Sequence, residues 1–127
     1  MISAMHSATV YVSDQDRALD FYVNLLGFEK LSDQPFDEAS GTRWITVAPP
    51  GALTQLVLGT PQESGRDPGT LGGYTGITFV TPDLVATSEA LLARGVTFPA
   101  PPAPMPWGML ATWFVDPDGN TFFLTEA

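Results

Sequence analysis

The chain has 127 residues, 44% of them hydrophobic, and fourteen acidic against five basic side chains give it a formal charge of −9. That length suits one hydrophobic core, and the acidic balance excludes nucleic-acid binding through a basic stripe and docking on an anionic membrane surface. With no cysteine and one histidine, disulfides, thiolate metal sites and cysteine nucleophiles are excluded, and little imidazole is left for metal binding or acid–base chemistry.

No apolar run approaches the roughly 20 residues of a membrane span. Met1 to Val12 carries no basic region ahead of an apolar stretch, so no secretion signal and a cytoplasmic location are expected. The first strand is Ser7–Ser13, where Ala8, Val10 and Val12 alternate with Ser7, Thr9 and Tyr11. Ser13 or Asp14 caps a helix whose stripe is Ala18, Leu19, Phe21, Tyr22, Leu25 and Leu26, and Gly27 sits where a left-handed cap is wanted. Strands are expected at Phe28–Leu31, Arg43–Ala48 and Thr54–Leu58, with Asp33 to Glu38 as a solvated acidic loop.

After a Gly- and Pro-rich loop from Thr60 to Gly73 the pattern begins again. Thr75–Thr81 is a strand, and Thr81 as N-cap with Pro82 in the first helical position opens a helix lined by Leu84, Ala86, Leu91 and Leu92. A short strand is expected at Val96–Phe98. Leu110–Val115 and Asn120–Thr125 form a hairpin around the Asp116-Pro117-Asp118-Gly119 turn. Gly27 and Gly95 are 68 residues apart, as are Val12 and Val80. The expected fold is therefore α+β, with two βαβββ modules (6–60 and 74–127, linker 61–73) pairing as a single domain over 1–127. One helix per module covers one face of the strands and leaves the other face bare.

Alternation assigns that bare face. Ser7, Thr9, Tyr11, Trp44, Thr46, Gln55 and Val57 fall on it in the first module, and Gly76, Thr78, Val80, Trp113, Thr121 and Phe123 in the second. Residues 99 to 106, five of them Pro, precede Trp107 and read either as a semi-rigid lid or as a stiff connector. Ring faces with scattered hydroxyls and one amide suit a small apolar or aromatic molecule.

The stretch Val12-Ser-Asp-Gln-Asp-Arg-Ala-Leu-Asp-Phe-Tyr-Val-Asn-Leu-Leu-Gly-Phe28, the segment Gly76-Ile-Thr-Phe-Val-Thr-Pro-Asp83 and the closing Phe114-Val-Asp-Pro-Asp-Gly-Asn120 resemble the glyoxalase/bleomycin-resistance/extradiol-dioxygenase family, the vicinal oxygen chelate superfamily. The resemblance implies a U-shaped, eight-stranded mixed sheet around a ligand cavity, helices on the outer face and a homodimer. Metal-dependent members carry His, Gln or Glu at four inward positions, which here match Ser7, about Gln55, Gly76 and Phe123. Only Gln55 has a donor typical of the family, so no metal and no cofactor are expected. The expected function is binding of a small apolar or aromatic, antibiotic-like molecule at Ser7, Thr9, Tyr11, Trp44, Thr46, Gln55, Val57, Gly76, Thr78, Trp107, Trp113 and Phe123. A cationic ligand is compatible with the net charge. The alternative is a lyase, isomerase or dioxygenase of the same fold, metal-dependent or using Tyr11 or His6, the latter facing inward if the first strand slips by one residue.

Overall fold

The strand–helix–strand–strand–strand order occurs twice in the computed structural model, which describes every residue except 63, 64 and 66. Those three fall in the expected linker, 61–73, and lie outside the described residues. The chain divides into two compact units, Met1–Leu71 and Gly72–Ala127. The first holds β1 (Ser7–Tyr11), α1 (Gln15–Leu19), β2 (Glu29–Asp37), β3 (Thr42–Ala48) and β4 (Gln55–Gly59). The second holds β5 (Gly73–Thr81), α2 (Leu84–Ala93), β6 (Ala103–Pro104), β7 (Leu110–Val115) and β8 (Asn120–Glu126). Sheet order is β1-β4-β3-β2 in one and β5-β8-β7-β6 in the other. In each the first and last strands of the unit run parallel and the remaining pairs antiparallel. The fold class is α+β, with the same module used twice.

In the first unit the alternating residues Val10, Val12, Ile45, Val47, Leu56 and Leu58 are buried on one side of the sheet, under Ala18, Phe21 and Tyr22. The Asp14 carboxylate caps α1 by accepting from the Arg17 N–H at 3.0 Å. The helix then widens into a π-helical turn over Asp20–Leu25, and the Leu26 N–H donates to the Phe21 carbonyl five residues back. A wider turn lets the adjacent Phe21 and Tyr22 both enter the core, their rings edge to face at 5.0 Å. Leu25 and Leu26, expected on the same stripe, are only half-buried. Gln15 fastens the helix to the sheet: its buried amide donates to the Arg43 and Leu58 carbonyls at 2.8 and 2.9 Å and accepts from the Arg43 N–H at 3.2 Å.

β2 is longer than the expected Phe28–Leu31, and the acidic stretch expected as a loop forms much of it, with register shifts at Lys30/Ser32 and Pro35/Asp37. Two of its charged residues, Lys30 and Asp33, form ion pairs. Asp33 accepts two bonds from Arg43, from Nε at 3.0 Å and Nη2 at 3.1 Å, while Arg43 Nη1 reaches Asp16 at 2.8 Å and Lys30 reaches Asp33 at 3.2 Å. The Arg43 guanidinium holds the Asp33 carboxyl below its ordinary range, against the opposing pull of burial. Asp33 titrates at about 3.9 in the unfolded chain. Its depressed folded value therefore adds stability above that pH, lost as pH falls through the folded value. Asp33→Asn is expected to cost about 1 kcal/mol at pH 7, and the gap to the native protein, read by urea denaturation, should close as the pH is taken below that unfolded value.

In the second unit Phe122 is fully buried at the centre of a ring cluster, 5.4 Å from Phe79 and 5.3 Å from Phe114. Leu84, Leu91, Val96 and Leu124 complete that core. The expected Thr81–Pro82 cap is corrected: Asp83 is the N-cap, its carboxylate accepting from the Ala86 N–H at 3.0 Å. Glu126 accepts from the Leu84 N–H, also at 3.0 Å. Carboxylates accept more strongly than a hydroxyl at a helix N-terminus, and Thr81 instead ends β5 and shares a 2.7 Å bond with Thr87. The buried positions of α2 are Leu84, Ser88 and Leu91, whereas Ala86 and Leu92, expected on the stripe, are exposed.

The expected strand at Val96–Phe98 is also corrected, because that stretch supplies one isolated bridge, Thr97 to Val115. The strand lies later, inside the Pro-rich segment, where Ala103 and Pro104 pair with Ala111 and Leu110. The hairpin turn stands as expected: Asp116 accepts from the Asp118 and Asn120 N–H groups, both at 2.9 Å. Gly72 lies against this turn at φ +87°, and a Cβ there would stand 2.9 Å from the Asp118 carbonyl oxygen. Gly72→Ala is expected to cost about 2 kcal/mol or more through backbone strain and overpacking, read as a lower Tm by calorimetry; an unchanged Tm would contradict the close approach.

Candidate functional site

Each sheet has one face that no helix of its own unit covers, and both faces carry the residues that alternation assigns to them. On the first sheet the register aligns Thr9, Val57, Thr46 and Ser32 in one row across all four strands. Tyr11 pairs with Gly59 and Gln34 with Trp44, while Ser7 pairs with Gln55. Thr46 and Val57 are buried in the middle of this face, Ser7, Tyr11 and Gln55 are half-buried, and Thr9 and Trp44 are exposed. Gly59 leaves room for its neighbours: a Cβ there would lie 3.3 Å from the Thr9 methyl and 3.6 Å from the Tyr11 ring.

Ser32 and Gln34 belong to this face and were missing from the sequence reading, because β2 was expected to stop at Leu31. Ser32 Oγ and Thr46 Oγ1 share a 2.7 Å hydrogen bond. The signal that would have found them is Arg43, a lone cation opposite an acidic run, which favours strand pairing over a solvated loop.

On the second sheet the open face is aromatic. Trp113 and Phe123 are register partners on β7 and β8, their rings edge to face with centroids 4.8 Å apart. Trp107 adds a third ring, 6.4 Å from Phe123. Phe123 is thus flanked by two indoles, and Trp107 at 62% and Trp113 at 36% remain open to solvent. Trp107 sits in a turn closed by Met105 N–H to Met109 carbonyl and Gly108 N–H to Met105 carbonyl bonds, both 2.8 Å. The Pro-rich segment before it pairs with β7 through the two residues of β6. Thr78 pairs with Phe123, and Val80 stands exposed beside Thr125. Thr121 is half-buried on the same strand as Phe123. Gly76 departs from the expected regular strand: it lies at φ +74° within a register shift between Tyr74 and Thr78.

The four positions that the resemblance matches to metal ligands do not fit an ion here. Gly76 has no side chain, and the Phe123 ring packs against two tryptophans and offers no lone pair. Ser7 and Gln55 supply one neutral hydroxyl and one amide, below the roughly three strong protein ligands of a catalytic site. Among the described residues no group of three or more His, Cys, Asp or Glu is placed to hold a metal. His6 precedes β1 and is exposed, its carbonyl accepting from the Gln55 N–H at 2.9 Å. The register Ser7 to Gln55 puts Ser7, not His6, on the open face. Among the described residues no helix is long and apolar enough to cross a membrane.

Repeated βαβββ modules with these bare faces define a known class, and the chain belongs to it: the model of the Glyoxalase/Bleomycin resistance protein/Dioxygenase superfamily matches residues 4–124. A crystal structure of a member of this superfamily from Sphaerobacter thermophilus is 55% identical, with a TM-score of 0.90 over 99% of this chain and 98% of that one. TnmS3, an antibiotic binding protein from Streptomyces sp. CB03234, is 40% identical, with a TM-score of 0.82 over 98% of this chain and 96% of that one. Among curated sequences, the uncharacterized protein YetH of Bacillus subtilis is 37% identical over 99% of this chain and its own full length.

Proposed function

We propose that this protein binds a small apolar or aromatic molecule, of the kind that antibiotics provide, and releases it unchanged. The observation that carries the reading is the Trp107–Phe123–Trp113 cluster, a half-buried ring held between two solvent-facing indoles. Such a surface attracts planar rings by area and by edge-to-face geometry, and its rigid side chains lose little entropy on binding. The likeness to an antibiotic binding protein at 40% identity supports the same role. The reading includes a homodimer in the cytoplasm and one domain built of both modules. The net charge of −9 favours the approach of a cationic ligand over an anionic one.

Titration of the native protein with a panel of planar aromatic natural products tests it, with tryptophan emission as the signal. Saturable quenching is expected, and Trp113→Phe should reduce its amplitude. A panel that leaves the emission unchanged, or quenching that survives loss of both Trp107 and Trp113, would overturn the proposal.

A further inference from the structure

We propose that α2 and the Pro-rich segment hold a second binding site between them, for a small apolar amine in its ammonium form. A cleft of about 460 Å³ separates the two, within the size range of small-molecule sites. One wall is a stripe of α2, with Val85, Glu89 and Leu92 spaced by four and three residues and so on one side of the helix. Val85 and Leu92 are 47% and 61% exposed, while the face of α2 turned to the core is Leu84, Ser88 and Leu91. The helix therefore carries apolar surface that its own core does not use. Phe98, Pro99, Pro101 and Pro102 form the other wall. The Thr112 hydroxyl anchors that wall by donating to the Ala100 carbonyl at 3.0 Å. Thr112 pairs with the buried Leu124, on the side of the sheet opposite Trp113 and Phe123, so the cleft is separate from the aromatic face.

The cleft has one charge. Glu89 is the only ionisable side chain among its lining residues, and its carboxylate meets no donor or cation among the described residues. The flanking charges, Asp83 and Arg94 at the two caps of the helix, stand about 120–140° round the axis from it. Little else on the walls donates a hydrogen bond. Three of the five residues from Phe98 to Pro102 are prolines without an N–H, and the Ser88 hydroxyl is spent on the Val85 carbonyl at 3.1 Å. A carboxylate accepts and does not donate, so a ligand that brings N–H donors and positive charge is matched, and an anion is repelled. A neutral apolar molecule would take water from Glu89 and return no hydrogen bond. Val85 lies about 6 Å and Leu92 about 4.5 Å along the helix from Glu89, which gives a bound ammonium apolar surface on both sides.

Methyl resonances of Val85 and Leu92 in the full-length protein report on the cleft, and the indole N–H resonances of Trp107 and Trp113 report on the aromatic face. 2-Phenylethylammonium is expected to move both methyl signals saturably and to bind at least threefold more tightly than 2-phenylethanol. 3-Phenylpropionate is expected to leave them still. Glu89→Gln, an exposed change that spares the core, should bring the ammonium down to the affinity of the alcohol and leave the alcohol unaltered. Methyl signals that do not move with the ammonium would overturn the site, even where the indole signals move. So would equal binding of ammonium and alcohol, or a preference that survives Glu89→Gln. If Leu92→Glu lowers the mass measured by light scattering, the cleft is covered by a second copy of the chain and the amine site is likewise overturned.

Discussion

Replacing Phe122 by alanine is expected to cost the fold about 3–5 kcal/mol, because a fully buried ring is exchanged for a cavity that its neighbours refill only in part. Phe79 and Phe114 would each lose a ring partner at 5.3–5.4 Å, and α2 would lose part of the surface it packs on. Against a total stability of about 5–15 kcal/mol for a domain, that loss is large enough to leave a marginal protein. Urea denaturation would show it as a fall in midpoint with little change in slope. A loss below about 1 kcal/mol would mean that the ring cluster is not the centre of this core.

The next residue gives the opposite result. Phe123→Ala is expected to leave the fold largely intact while weakening a planar aromatic ligand about tenfold or more, since one residue holds both indoles in place. A ring pair contributes about 0.5–1.5 kcal/mol, so losing the Phe123 contact to the ligand, together with the placement of both indoles, accounts for that factor. Fluorescence titration gives the affinity, and the thermal midpoint of the same sample gives the stability. Were Phe123→Ala to bind as tightly as the native protein, the cluster would be packing alone and the proposed site would have to be sought elsewhere. Two adjacent residues of one type thus separate structure from binding, because a β-strand turns successive side chains to opposite faces.

That alternation is also why so much of the fold was legible. Period-two patterns in β1, β3, β7 and β8 placed Val10, Ile45, Phe114 and Phe122 in the core, and Tyr11, Trp44, Trp113 and Phe123 opposite, as the structure has them. What escaped were features set by interactions distant in sequence. β2 runs past Leu31 because Arg43 pairs with Asp33 from the neighbouring strand. The cap of α2 moved from Thr81 to Asp83, with Glu126 joining it from the end of the chain. β6 formed among prolines, where propensity argues against any strand, because Ala103 and Pro104 find partners on β7. The same gap hid Ser32 and Gln34 from the reading of the first face. It also left Trp107 in a segment whose pairing no local pattern reveals.

β2 and β6 each end their sheet on one side. An unpaired strand with regular N–H and C=O groups invites another chain to add to it, the route by which β-proteins polymerise. β6 carries Pro104, which has no N–H to offer, in a strand two residues long. β2 carries Pro35, two register shifts and the charged Glu29, Lys30, Asp33 and Asp37 along its nine residues. Both of these borders are blunted, by different chemistry in each module, so neither offers a regular template on which another strand could grow.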